Sequence, residues 1–429
     1  MRPVTLSTAA GMAFGLVLAS SVSAQQAAFY PLENWYTQAF AVSNDGTTAA
    51  GRIVSTNPDA WDAACRWQLP TPTAQELGHL PGTDDSVAFG VSGDGSTIVG
   101  ASGMDFFDYG YAFRYRNGVM QNLGRLPGGS EYCMANAVSG DGNTIVGEGD
   151  NPVWYSVAWR KVGDGPLTVI GNFPGGYETW AMGVSNDGSV IVGSGYDGND
   201  YLRAWKWTAA SGIQPLPLAM GAEEAQAFGV SDDGQVVFGA AFGTDFFSEQ
   251  AVMWTLEAGM EILPAPAGYD GSVAYGSNAS GTIIVGNMWH DIFVPEAMIY
   301  DVNTGMRRLQ DVLVARGATI PADWFLTHAW DISADGRVVV GQAINELGET
   351  QGYIATLFPA PGTSPCGTSD FNGDGDSGTD QDIEAFFACI GGNCCPTCWV
   401  NGADFNGDGD TATDQDIEAF FRVLGGNPC

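Results

Sequence analysis

The sequence predicts an all-β protein: a seven-bladed β-propeller of four-stranded blades, followed by a small α-helical domain built on paired calcium loops. Three observations carry the prediction. A phrase recurs seven times at steps of 46 to 55 residues, each copy contains a hairpin-turn signal, and two near-identical acidic loops follow residue 369.

Composition narrows the function before any motif is read. The chain has 429 residues, 49 acidic against 15 Lys plus Arg, a net charge of −34, and a 45% hydrophobic share. That apolar fraction supports a packed core, so wholesale disorder is excluded. Sixty glycines without a three-residue period exclude collagen and favour many tight turns. An acidic surface repels phosphate backbones, which argues against nucleic-acid binding.

Residues 1–24 read as a secretory signal peptide. Arg2 gives the positive start, Ala9 to Val22 is apolar but too short to span a bilayer, and Val22-Ser23-Ala24 offers small residues for cleavage before Gln25. No later run approaches a membrane span, so no membrane insertion is expected and the protein is assigned to the secreted or cell-surface class.

Residues 25–358 hold the repeat. The phrase reads AFGVSGDGSTIVG from Ala88, ANAVSGDGNTIVG from Ala135 and AMGVSNDGSVIVG from Ala181, with further copies from Ala39, Ala227, Ala274 and Ala329. Small and apolar residues before the turn make one strand, and the β-branched run after it makes a second. Asp-Gly between them supplies the positive φ of a tight hairpin. Ala-Trp landmarks such as Ala158-Trp159 mark a third strand, and Leu-Gly-x-Leu-Pro-Gly, as in Leu123–Gly128, is assigned to the fourth. Four short strands per unit make a propeller blade. The last unit lacks a fourth strand, and Ala28–Trp35 has the character of the missing one, which would close the ring.

These units resemble the HAF family of extracellular bacterial repeats over roughly residues 38–358. The residue before the third-strand Ala is Tyr111, Val157, Arg203 or Gln250 rather than the family's His, and unit six carries Ser280-Gly281 in place of Asp-Gly. The resemblance implies an exported repeat protein and no particular reaction.

A Pro-rich linker spans 359–369, and residues 370–429 hold DFNGDGDSGTDQDIEAFF from Asp370 and its copy from Asp404. Calcium takes six to eight oxygens from a short flexible loop. Asp370, Asn372, Asp374 and Asp376 offer them at alternate positions, with either Asp380 or Asp382 closing the site. The second loop offers Asp404, Asn406, Asp408, Asp410, Asp414 and Asp416, giving two Ca2+ ions in all. Ile383, Phe386, Phe387 and Ile390 then fall at helical spacing, matched by Ile417, Phe420, Phe421 and Leu424. The module resembles a dockerin, most closely the cysteine-bearing variants of exported planctomycete-type proteins, though its loop is one residue longer. The resemblance implies a cohesin-like or surface-anchoring protein as partner, with Thr379, Asp380, Thr413 and Asp414 facing it.

Six of the eight cysteines lie in this tail: Cys366, Cys389, Cys394, Cys395, Cys398 and Cys429. Disulfides are favoured over a zinc site, with the pairing open. Cys65 and Cys133 read as buried small residues.

No nucleophile–base motif is present, so a non-catalytic binding role is expected. The alternative is a polysaccharide-degrading enzyme, a glycoside hydrolase or polysaccharide lyase, using the central cleft. The loops on one propeller face mix acids with aromatics, and Phe106, Phe107, Tyr132, Tyr177, Phe246, Phe247 and Tyr269 are the candidate ligand-binding residues. Such surfaces suit sugar rings, hence an extracellular polysaccharide, or a cation-bearing ligand.

Overall fold

The computed structural model describes residues 27–33, 36–55, 61–103, 110–130, 132–153, 155–219, 221–243, 249–255, 258–290, 294–357, 371–372, 378–394, 405 and 412–424. The signal-peptide segment, the linker, Phe106, Phe107, Phe246 and Phe247 lie outside them.

Seven four-stranded antiparallel sheets form the blades. Blade three shows the plan: an inner strand Cys133–Val138, a second strand Thr144–Asp150, a third Ser156–Val162 and a short outer strand Thr168–Val169. The N-terminal strand Ala28–Pro31 pairs with Thr350–Thr356 and is the outer strand of blade seven. The two chain ends of the ring are therefore joined by a sheet.

Each letter of the repeated phrase has a physical cause. The inner strand of every blade carries a bulge directly after its buried alanine, at Phe40, Phe89, Asn136, Met182, Phe228, Tyr275 and Trp330. At the bulge the inner strand's carbonyl presses on the closing glycine of the next strand. A Cβ on Gly147 would lie 1.9 Å from the Met134 carbonyl oxygen, and one on Gly193 equally close to that of Trp180. Only glycine allows this approach.

The turn is longer than the two-residue hairpin that Asp-Gly suggests. Ser139 N–H donates to the Thr144 carbonyl, Gly142 N–H to the Ser139 carbonyl, and only the glycine has positive φ, at 70°. The aspartate shapes the loop with its side chain. In blade four, Asp187 Oδ1 accepts from Ser185 Oγ at 2.7 Å and from Ser189 N at 2.9 Å, while Ser185 Oγ accepts from Val190 N. Unit six departs from this pattern and keeps the function: Asn278 Oδ1 accepts from Ile283 N at 2.9 Å, doing what the serine does elsewhere.

A further expectation is corrected. The Leu-Gly-x-Leu-Pro-Gly segment of blade two is not the fourth strand, which is Val119–Asn122. It is the connection beyond, anchored by buried Leu123 and Leu126. The 55-residue step before the last repeat holds a helix, Leu309–Ala315, whose Leu309, Val312 and Leu313 are buried between blades six and seven.

The core lies between blades and is filled from the third strands, with Trp67, Trp159 and Trp205 fully buried. Cys65 and Cys133 are free and buried, and burial pushes both thiols up to about 12, which leaves them inert.

The tail has its own core. Helices Asp380–Ile390 and Asp414–Leu424 pack Phe386 against Phe420 at 4.0 Å, and Phe371 and Phe405 from the loop starts complete a fully buried group of four rings. Phe387 and Phe421, expected in that core, are instead 44% and 48% exposed. The helix stripe has room for one ring per turn because Phe371 and Phe405 fill the rest. Cys389 and Cys394 form a disulfide; Cys366, Cys395, Cys398 and Cys429 lie outside the described residues.

Candidate functional site

The seven bulges project their side chains toward the propeller axis. Five are aromatic and touch in sequence: Phe89 to Phe40 at 6.0 Å, Phe40 to Trp330 at 5.9 Å, Trp330 to Tyr275 at 4.7 Å, and Tyr275 to Phe228 at 5.5 Å. Asn136 and Met182 occupy the other two positions. Below this collar lies an axial cavity of about 200 Å³, floored by the turns.

Neighbouring turns are joined by main-chain bonds at six of the seven blade junctions: Asp45 N to Gly93 O, Gly93 N to Gly140 O, Asn186 N to Asp232 O, Asp232 N to Ala279 O, Ala279 N to Ala334 O and Ala334 N to Asn44 O. Asn44 Nδ2 reaches Asp232 Oδ2 at 2.5 Å across the axis. Asp331, where other blades carry Gly or Ala, ties blade seven to blade one by accepting from Val42 N at 2.9 Å. Burial pushes its carboxyl up to about 7 despite amide bonds from Val42 and Ile332, and Asp232 adds to the rise.

The opposite face differs from blade to blade. Its most developed feature lies on blades three and four, where four aromatic rings run from rim to axis. Tyr155, 43% exposed, lies 5.1 Å from Tyr177; Tyr177 stacks on Tyr196 at 5.6 Å; and Tyr196 meets Trp180 edge-on at 5.6 Å. Trp180 then lines a cavity of about 250 Å³ with Glu148, Met182, Ser194, Gln226 and Phe228. Glu148 is 7% exposed and accepts a hydrogen bond from Tyr132 Oη at 2.8 Å. Burial pushes its carboxyl up to about 7 against that bond, and the carboxylates of Asp150 and Glu178 reinforce the rise. Glu178 is itself raised by burial and by Asp150.

Two other titratable groups stand near the axis. His328 stacks on Trp330 at 4.6 Å, and burial pulls it down to about 4, so it is neutral at ordinary pH. Glu249 is pushed up to about 7 by burial.

Of the predicted ligand residues, the structure brings Tyr177 into the aromatic ladder and Tyr132 onto Glu148. Tyr269 is separate: it stacks on His290 at 3.9 Å and donates to Glu296 Oε2 at 2.9 Å. Sequence reasoning missed Glu148, Trp180 and Phe228. The signal for Glu148 was a break in the repeat, since it follows the closing glycine where the other units carry Arg52, Ala101, Ser194, Ala240, Asn287 and Gln342.

In the tail, Asp382 and Asp416 are fully buried, whereas Asp380 is exposed. Asp382 Oδ1 accepts from Phe371 N at 2.8 Å and Asn372 N at 3.2 Å, and Oδ2 accepts from Thr379 N and Oγ1 at 2.8 and 2.9 Å. Burial pushes this carboxyl up, but the bonds from Thr379, Asn372 and Phe371 outweigh it and hold it below the ordinary range. Asp416 and Thr413 repeat the pattern. Thr379 and Thr413 therefore cap their helices. Asp370, Asp374, Asp376, Asp404, Asn406, Asp408, Asp410 and the side chain of Asp414 lie outside the described residues. Among the described residues, no three His, Cys, Asp or Glu side chains form a metal cluster.

The fold defines a seven-bladed propeller, and comparison with solved structures agrees. The chain is similar to an oligogalacturonate lyase in complex with manganese (15% identity, TM-score 0.52, 77% of this chain and 96% of that one). It is also similar to a prolyl endopeptidase (10% identity, TM-score 0.51, 78% and 48%). TolB from Acinetobacter baumannii aligns at 11% identity and TM-score 0.44 over 62% of this chain and 63% of that one, so the chain spans less than two thirds of TolB. At such identities the likeness is one of fold. No protein-family model and no curated relative matches the chain. Among the described residues no helix is long and apolar enough to cross a membrane. The disulfide is compatible with an extracellular or periplasmic location.

Proposed function

We propose that the protein is a secreted, non-catalytic binding protein whose propeller presents a glycan-binding face and whose C-terminal module attaches it to a partner. The observation that carries the first part is the ladder Tyr155–Tyr177–Tyr196–Trp180 on the irregular face. Flat rings in succession, with the carboxylates of Glu178 and Asp200 beside Tyr177, offer pyranose faces a stacking surface and hydroxyls an acceptor. Alanine at Tyr177 and Tyr196 together should abolish retardation of the protein in gels containing a bound polysaccharide.

The attachment module is read as dockerin-like, binding two Ca2+ ions through Asp370, Asn372, Asp374, Asp376 and their counterparts from Asp404 to Asp410, with Asp382 and Asp416 holding each loop against its helix. The predicted partner is a cohesin-like or surface-anchoring protein. Calorimetry with calcium tests this: two-site binding with a gain in helicity is expected. HAF-like kinship remains part of the same proposal, resting on the repeated phrase.

Glu148 gives a second reading some support. A carboxyl at about 7 inside a cavity can hold or release a proton near neutrality, as a polysaccharide-degrading enzyme would need. Loss of new reducing ends in Glu148→Gln would favour that enzyme; unchanged polysaccharide after long incubation with the wild type favours binding.

A further inference from the structure

We propose that the cavity beside Trp180 takes the ammonium group of an amino sugar, with Glu148 as its counter-ion. The inference rests on the glycan reading of this face and names the class of glycan. It starts from Glu148. The side chain is more than nine-tenths buried, it lines a cavity of about 250 Å³, and its hydrogen-bond partner is a neutral phenol, Tyr132. The charges that act on it are negative, from Asp150 and Glu178. A carboxyl in that position is either protonated or compensated by a cation brought from outside.

The cavity walls select the kind of cation. Trp180 and Phe228 present ring surfaces, Met182 a polarisable thioether, and Ser194 and Gln226 neutral polar groups. Aromatic faces attract ammonium groups, more strongly where water is excluded. Among the described lining residues Glu148 is the one carboxylate, and half of the lining is apolar, which suits an organic cation better than a hard metal ion that takes six or more oxygens. The ladder supplies the sugar part, because Tyr196 meets Trp180 at the cavity and Tyr177 and Tyr155 continue outward to the rim. A chain of sugars laid along the ladder would deliver one substituent into the cavity. The net charge of −34 draws a polycation toward the face.

Binding moves a proton, and the balance can be written. In the free protein near pH 6 Glu148 carries the proton; in the complex the ammonium keeps all of its protons, and the Glu148 proton passes to solvent. Tyr132, Asp150 and Glu178 are the titratable groups facing it; the two carboxylates hold the proton on Glu148, and the incoming ammonium reverses that balance.

Calorimetry on the full chain at pH 6, with a glucosamine tetramer and an N-acetylglucosamine tetramer, tests the idea. The free-amine tetramer should bind, with an enthalpy that varies with the buffer's ionisation heat because a proton is released. The acetylated tetramer should bind about tenfold more weakly or worse. Glu148→Gln keeps the Tyr132 contact and should lose that preference, with a thermal melt confirming the fold. Equal binding of both tetramers would overturn the ammonium site and leave the glycan reading standing. Binding of neither would overturn both. Undiminished preference in Glu148→Gln would overturn the role of the carboxylate.

Discussion

The two faces of the propeller are made from the same seven repeats, yet they differ in kind. On the turn face the repeats agree: serine, aspartate and glycine recur, each aspartate is held by local hydrogen bonds, and neighbouring turns are joined across blades. On the opposite face the repeats disagree, and there aromatic rings accumulate and carboxyls are pushed toward neutrality. The lesson concerns how acids should be read. An aspartate repeated at the turn shapes a loop, and Asp94 and Asp187 are held below the ordinary range by the Ser96 and Ser189 amides and by neighbouring hydroxyls. Glu148, which breaks the pattern, instead accepts from the Tyr132 hydroxyl and lines a cavity.

Substitutions can break that contrast, beginning with the largest effect. Gly188→Ala should destabilise the ring by about 2–4 kcal/mol, since the position has φ of +72° and a Cβ there would lie 2.4 Å from Thr144 Oγ1. Chemical denaturation should show this with ligand binding unchanged in the folded fraction.

Next comes pH. The folded Glu148 carboxyl stands at about 7 against an ordinary 4.5, so the folded state prefers the protonated form. Its contribution is complete below about pH 4.5 and is lost as pH rises through 7. Glu148→Gln should therefore gain on the wild type by up to about 3 kcal/mol between pH 5 and pH 8. Glu249 and Asp331 act in the same direction. His328, pulled down from 6.5 to about 4, opposes them, its contribution being lost as pH falls through that interval. Three acids outweigh one histidine, so from these groups stability should be greatest at roughly pH 4 to 4.5 and fall as pH rises toward 7.

Asp187→Ala removes the bonds to Ser185 and Ser189 at an exposed turn and should cost about 1 kcal/mol, measured by thermal melting. Tyr177→Ala, at a half-buried rim position, should change stability by less than about 1 kcal/mol while removing glycan retention.

Much of the scaffold was legible because it repeats. The bulge, the closing glycine and the turn all leave fixed letters, and so the blade count and the closing strand at Ala28–Pro31 could be read directly. Other outer strands could not: Thr168–Val169 is two residues long and carries no alternation to read, and in blade two the buried leucines lie beyond the strand, after Asn122. Phe387 and Phe421 show a second limit. Helical periodicity selects a stripe, and whether its edge is covered depends on what arrives from elsewhere, here Phe371 and Phe405. The ladder was half legible. Tyr177 belongs to a loop rich in aromatics and acids, but Trp180 and Glu148 lie on strands, where only the fold shows that they share one end of the channel.

The contrast between the faces comes down to one measurement: affinity electrophoresis of three chains in gels containing soluble polysaccharides, including a de-acetylated amino-sugar polymer. The wild type and an Asp94→Ala/Asp187→Ala variant should be retarded alike, and Tyr177→Ala/Tyr196→Ala should run free. Retention by the tyrosine variant with loss in the aspartate variant would contradict the account, as would a wild type that no polysaccharide retards.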